Sequence, residues 1–199
     1  MPDIAHPDAL AAAAASGFPA SVELILSELR GAVASVDPTA LREAAGLLLG
    51  ADRVFAAGAG RSRLALGMGA MRLMHFGLAV HMVGDVTTPA IGPGDVLLAA
   101  SGSGETRGLV HAAEAAAHAG AAVIALTATP GARLASLARV VLSVDAAAKF
   151  DRSGVASKQY GASLFEQAVV LTLDALFHAL WQASGIDAAT LWARHANIE

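Results

Sequence analysis

Between residues 54 and 144 the chain alternates short apolar runs with longer stretches of helical spacing. The runs at 54–57, 79–83, 96–100, 122–126 and 140–144 are rich in Val, Leu and Ile. None shows polar alternation, which predicts strands buried on both faces. Helical stretches at 62–76, 105–119 and 132–137 lie between them and are long enough to serve as crossovers. Five strands joined in this way predict a doubly wound, flavodoxin-like parallel sheet inside a three-layer α/β/α sandwich. Upstream, Val22, Ile25, Leu26, Leu29 and Val33 have helical spacing. Asp37 followed by Pro38 reads as an N-cap with proline at N1, opening a second helix that ends near Gly50. Gly31, Gly77 and Gly120 stand where helix C-caps are wanted. A long helix over 158–183 and a short helical tail over 186–199 close the chain. Residues 1–19, with Pro2, Pro7 and Pro19, read as a weakly ordered or locally helical lead-in to a single domain over 20–199.

A doubly wound sheet binds ligands beyond the C-terminal ends of its strands, where the strand order reverses. The loops after the first and third strands should therefore carry the chemistry. The first is Gly58-Ala59-Gly60-Arg61-Ser62-Arg63. Its strand-loop-helix context suits a dinucleotide fingerprint, with Asp85 as the ribose acid, but Arg63 replaces the third glycine. The second is Ser101-Gly102-Ser103-Gly104-Glu105-Thr106. Glycines that turn N–H groups inward, three hydroxyls and a following helix N-terminus make a phosphate cradle that needs no lysine. The alternative is a serine N-cap with a nearby glutamate, which accounts for one serine rather than the whole run. Thr127 and Thr129, after the fourth strand, read as turn residues.

Composition narrows the choice. The 199 residues are 55% hydrophobic and 15% charged, with no Cys, seven His and a formal net charge of −4. Such a chain has ample core for one domain and no thiolate metal site. No 20-residue uninterrupted apolar run and no basic leader appear, so neither a membrane span nor a signal peptide is expected, and the location defaults to the cytoplasm. No clustered basic face marks a nucleic-acid partner. His111 and His118 sit on an alanine-rich helix and read as solvated, no His pair has the i, i+4 spacing of a helical metal site, and no metal is expected. Eleven of the 13 basic residues are Arg; Lys149 and Lys158 are the only lysines, which leaves a Schiff base few candidates.

The loop Ser101 to Thr106 after a buried strand, preceded by Gly58 to Ser62, resembles the SIS domain of phosphosugar isomerases and phosphosugar-sensing regulators. Within it, Met71-Arg72-Leu73-Met74-His75, Thr87-Thr88-Pro89-Ala90-Ile91, Leu164-Phe165-Glu166 and Ala193-Arg194-His195-Ala196 are similar to the 6-phospho-3-hexuloisomerases. Two positions depart from that pattern: Arg63 stands where the family usually has Gly, and Asp85-Val86 replaces a more usual Glu-Thr.

The resemblance implies a cofactor-free isomerase that interconverts 3-hexulose 6-phosphate and fructose 6-phosphate through an enediol, in the ribulose monophosphate route, which serves formaldehyde fixation or, in the other direction, the supply of pentose phosphate. It implies Glu166 as the base. From the residues alone Glu166 reads equally as a carboxylate lining a cavity or as part of a solvated stripe with Lys158 and Asp174. His195 and His75 are implied as further acid–base groups, with a terminal histidine completing a neighbouring subunit's site in a homodimer or homotetramer. Gly60, Arg61, Ser62, Ser101, Gly102, Ser103, Glu105 and Thr106 would hold the phosphate, and Arg72, Thr87 and Thr88 would touch the phosphosugar. An arabinose 5-phosphate isomerase or a non-catalytic phosphosugar sensor are the alternatives; the first commonly carries C-terminal regulatory domains and the second an N-terminal DNA-binding region.

Overall fold

A computed structural model describes residues 6–147 and 153–198. In order the elements are α1 (Pro7–Ala34), α2 (Pro38–Leu49), β1 (Val54–Gly58), α3 (Arg61–Phe76), β2 (Val80–Met82), β3 (Val96–Ala100), α4 (Arg107–His118), β4 (Ala122–Thr127), α5 (Arg133–Ser136), β5 (Val140–Ser143), α6 (Ser163–Ser184) and α7 (Ala188–Trp192). The five strands form one parallel sheet in the order β2-β1-β3-β4-β5. The order reverses between β1 and β3, so the two glycine-rich loops leave the sheet side by side.

The pleat divides the core. Val54, Ala56, Val96, Leu98, Ala100, Ile124 and Leu126 face the layer made by α1, α2, α3 and α6. Phe55, Ala57, Leu97, Ala99, Val123 and Ala125 face α4 and α5. Burial on both faces holds for β1, β3 and β4. It fails for β2, which is half-buried throughout, and for β5, which alternates. Both are edge strands, covered on fewer sides than the central three.

Asp37 caps α2 as its sequence predicts, accepting hydrogen bonds from the N–H groups of Thr39 and Ala40. Gly77 ends α3 in the left-handed region, at φ 114°. Gly31 is no cap: α1 runs through it to Ala34, and through Pro19 from Pro7. The last long helix starts at Ser163 rather than 158, because Gly154 and Gly161, both at positive φ, turn the chain before it.

By length and average hydropathy, α1 and α6 are each long and apolar enough to cross a membrane, although neither holds an uninterrupted apolar run of that length. Gly17, Pro19 and Glu23 break the runs of α1, and Glu166 and Asp174 those of α6, without lowering the average enough. In α6 that apolarity is partly spent against the core, whereas the most apolar stretch of α1 is unburied in the single chain.

Candidate active site

The N-termini of three helices meet at one cleft of about 1050 Å³. Ala59 to Ser62 bring the start of α3, Ser101 to Ser103 with Thr106 the start of α4, and Gly161 to Ser163 with Glu166 the start of α6. None of the three N-cap residues, Gly60, Thr106 and Ala162, caps its own helix with a side chain. A helix start leaves N–H groups without intrahelical acceptors and carries partial positive charge from the helix dipole, so three helix starts facing one cleft suit an anion.

Backbone geometry explains the glycines. A Cβ on Gly58 would sit 2.7 Å from the Cα of Arg63, so the close approach of β1 to α3 depends on Gly58. The Arg63 side chain turns outward instead, donating to the Val83 carbonyl at 2.6 Å and to Asp85 Oδ1 at 2.6 Å. The two departures from the family pattern thus pair with each other, and the acid a dinucleotide ribose would need is engaged. Gly104 has φ +64°, and a Cβ there would meet the Ala132 Cβ at 2.5 Å.

The serine loop is braced from within and from behind. Ser101 Oγ accepts from the Gly104 N–H at 3.2 Å and shares a hydrogen bond with Thr106 Oγ1 at 3.0 Å. Thr129 Oγ1 donates to the Gly102 carbonyl at 3.1 Å, and Thr127 Oγ1 reaches the same oxygen at 3.4 Å. Thr127 and Thr129 therefore hold the cradle from behind, which the turn reading missed. The serine N-cap alternative fails, because the N-cap of α4 is Thr106.

Glu166 lies in the first turn of α6, lines the cleft and has a side chain 16% exposed. Arg61 Nε donates to its Oε2 at 2.5 Å. The solvated-stripe reading is overturned: Lys158 precedes α6 and lines the cleft itself, and Asp174 faces Arg72 at 3.9 Å.

Several expected site residues lie elsewhere. Glu105 does not line the cleft; its Oε1 accepts from the Arg133 N–H at 2.8 Å and caps the start of α5. Thr87 and Thr88 are also absent from its lining, and Thr88 Oγ1 donates to the Met82 carbonyl at 2.6 Å, closing the turn after β2. His75 is separated from Arg61 by fourteen residues of α3, about 21 Å along the axis. There it lines a second hollow of about 390 Å³ with Arg72 and His195. The rings of His75 and His195 stack at 4.0 Å, and Arg194 donates to the His75 carbonyl at 2.9 Å, docking the tail on the end of α3. Burial, with His195 and Arg72 adding to it, lowers the His75 pKa below the ordinary histidine range, and its Nδ1 is buried without a hydrogen-bond partner. Expected residues thus divide between two ends of α3. His111 and His118 are exposed as expected, and among the described residues no three His, Asp or Glu side chains are grouped to hold a metal ion.

Sequence reasoning also missed the segment Ser157-Lys158-Gln159-Tyr160, which forms another wall of the cleft. Its signal was the Gly- and Ser-rich composition around Gly154 and Gly161.

Residues 47–172 match the SIS domain family model. The 3-hexulose-6-phosphate isomerase of Mycobacterium gastri is 49% identical over 179 residues, 90% of each chain. That of Bacillus subtilis is 37% identical, covering 88% of this chain and 95% of its own. Among solved structures, a hypothetical protein 32% identical superposes with a TM-score of 0.84, covering 92% of this chain and 98% of its own. The hypothetical protein MJ1247 from Methanococcus jannaschii, whose structure is described as inferring 3-hexulose-6-phosphate isomerase function, is 24% identical with a TM-score of 0.75, covering 90% and 99%, a likeness of fold. With its model spanning more than half the sequence, and a relative this similar over nine tenths of both chains, the chain belongs to the SIS domain family.

Proposed function

We propose that the protein is an isomerase interconverting 3-hexulose 6-phosphate and fructose 6-phosphate. The observation that carries the reading is the convergence of three uncapped helix N-termini and a hydroxyl-rich loop on one cleft that also holds Glu166. The N–H groups and the hydroxyls of Ser62, Ser101, Ser103 and Thr106 anchor the phosphate, with Arg61 as the cation beside them. Glu166 then takes the proton from C2. The C2–H electrons form the C2=C3 bond, the C3 carbonyl oxygen takes a proton from a histidine that later regains one from O2, and a 2,3-enediol results. Loss of the O2 proton forms the C2 carbonyl, and Glu166 returns its proton to C3. No net proton or electron is exchanged. The hydrogen bond from Arg61 Nε aims the Glu166 Oε2.

His75 and His195 serve hydroxyl protons, and they do so in a neighbouring copy. On α3, Leu64, Met68 and Met71 form an i, i+4, i+7 stripe that is 72%, 53% and 56% exposed in the single chain. Two copies packed antiparallel along this stripe bring the histidine end of one α3 to the Glu166 end of the other. A cytoplasmic homo-oligomer with shared sites follows from this reading, and the exposed side of α1 offers further apolar surface, including Leu10 and Phe18.

The test is turnover of 3-hexulose 6-phosphate by the wild type and by Glu166→Gln. General-base removal lowers kcat by about 10²–10⁴, with KM nearly unchanged because the phosphate contacts remain. A Glu166→Gln variant with full kcat removes Glu166 as the base; a wild type that yields no fructose 6-phosphate removes the isomerase.

A further inference from the structure

One carboxylate outside the cleft ties down its wall. Glu28, half-buried on α1, accepts the Ser157 hydroxyl at 2.7 Å, the Lys158 N–H at 2.8 Å and the Gln159 side-chain amide at 3.1 Å. Ser157 Oγ in turn accepts the Gln159 N–H at 3.0 Å, so the hydroxyl relays the same anchor to a second backbone position. Ser157 is almost fully buried, whereas Lys158, Gln159 and Tyr160 open into the cleft. No helix or strand ladder runs through this segment, which lies between β5 and α6. Its order depends on hydrogen bonds such as these. Burial pushes the Glu28 pKa up, but the three donors and the Lys158 charge outweigh it and hold the carboxyl below its ordinary value. Bonds to an ionised acceptor are the strong kind.

Ordering a chain segment costs conformational entropy at every residue. A wall already fixed by α1 spares the ligand that cost at the moment of binding. We propose that Glu28 is a positioning residue for substrate capture: its carboxylate preforms the Ser157–Tyr160 wall against which the phosphosugar binds. The proposal rests on the isomerase reading, and Glu28 itself does not line the cleft.

The experiment compares wild type, Glu28→Ala and Glu28→Gln in steady-state turnover of 3-hexulose 6-phosphate. Glu28→Ala raises KM about tenfold while kcat stays within twofold. Glu28→Gln recovers most of the loss, because its carbonyl accepts the Lys158 N–H and a flipped Gln159 amide accepts from its NH₂ group. Unchanged KM in both variants overturns the proposal, as does a parallel loss of kcat and melting temperature. Where Glu28→Ala does not fold, Glu28→Gln decides alone, with a two- to threefold rise in KM expected and none overturning it. Trypsin cleavage after Lys158, read as the peptide beginning at Gln159, tests the clamp without any activity. Cleavage at least fivefold faster in Glu28→Ala supports it and equal rates overturn it, so an inactive wild type defeats the isomerase reading separately.

Discussion

Arg63 and Asp85 illustrate how a residue that breaks a family pattern is absorbed. The close approach expected of a small residue at position 63 is supplied by Gly58, and the guanidinium leaves the helix base to bridge Val83 and Asp85. Both partners are partly exposed, so the pair contributes under about 1 kcal/mol. Asp95 is a different case. Its side chain is buried at the N-terminal end of β3 and takes Arg53 in a bidentate grip, Nε at 3.0 Å and Nη2 at 2.6 Å, with the Gly92 N–H at 2.8 Å. The Arg53 hydrogen bonds lower the Asp95 pKa against the opposing effect of burial, helped by the Gly92 N–H. A depressed folded-state pKa means stability that is fully present above the ordinary carboxylate value and is lost as pH falls through the folded one. Thermal midpoints measured from pH 6 down to pH 2.5 should therefore fall more steeply for the wild type than for Asp95→Asn, whose lower midpoint at pH 6 approaches the wild type's in acid. Parallel curves would show that Asp95 is not a source of the acid sensitivity.

Among the elements, α3 and α6 matter most, since both begin at the cleft and Phe76 meets Phe177 toward their other ends. Gly69 lets them approach: a Cβ there would lie 2.3 Å from Leu173 Cδ1 and 2.8 Å from Leu173 Cβ. The second distance matters more, because a rotamer change moves Cδ1 but not Cβ. Gly69→Ala should therefore destabilise the fold by about 1–3 kcal/mol despite the better helix propensity of alanine, and Leu173→Ala should relieve little of it. Denaturant midpoints check both, and a stabilised Gly69→Ala would contradict the packing. Such proximity was not legible in the sequence. The positions of the five strands were, since short Val-, Leu- and Ile-rich runs mark them, although the burial on both faces that those runs suggest holds only for β1, β3 and β4. The start of α6 was misread because Lys158 and Gln159 are good helix formers, while the Glu28 bonds that keep them out of the helix come from more than 120 residues away. The serine loop is legible from its own glycines and hydroxyls, whereas the residues alone leave Glu166 between a cavity and a solvated stripe, and only the family resemblance singles it out as the base; the hydrogen bonds that Thr127 and Thr129 donate to the loop, and the one that Glu105 accepts from Arg133, are tertiary and not legible there.

At the scale of the molecule, one chain holds a phosphate cradle and a carboxylate at one end of α3 and an imidazole pair at the other. Their separation, about 21 Å of helix, is too long for a single substrate, while the exposed stripe of Leu64, Met68 and Met71 lies between them. The central claim is that this is a phosphosugar isomerase whose site is completed by a second copy. Complementation tests it most directly. Glu166→Gln and His195→Ala are each purified, then mixed under conditions that exchange subunits, and fructose 6-phosphate formation from 3-hexulose 6-phosphate is followed. Each variant alone should be at least tenfold slower than wild type, and an equimolar mixture should recover up to about a quarter of wild-type activity, because about half of the dimers are mixed and one of the two sites in each is intact. A mixture no more active than its components, beside a fully active wild type and demonstrated subunit exchange, would contradict the account.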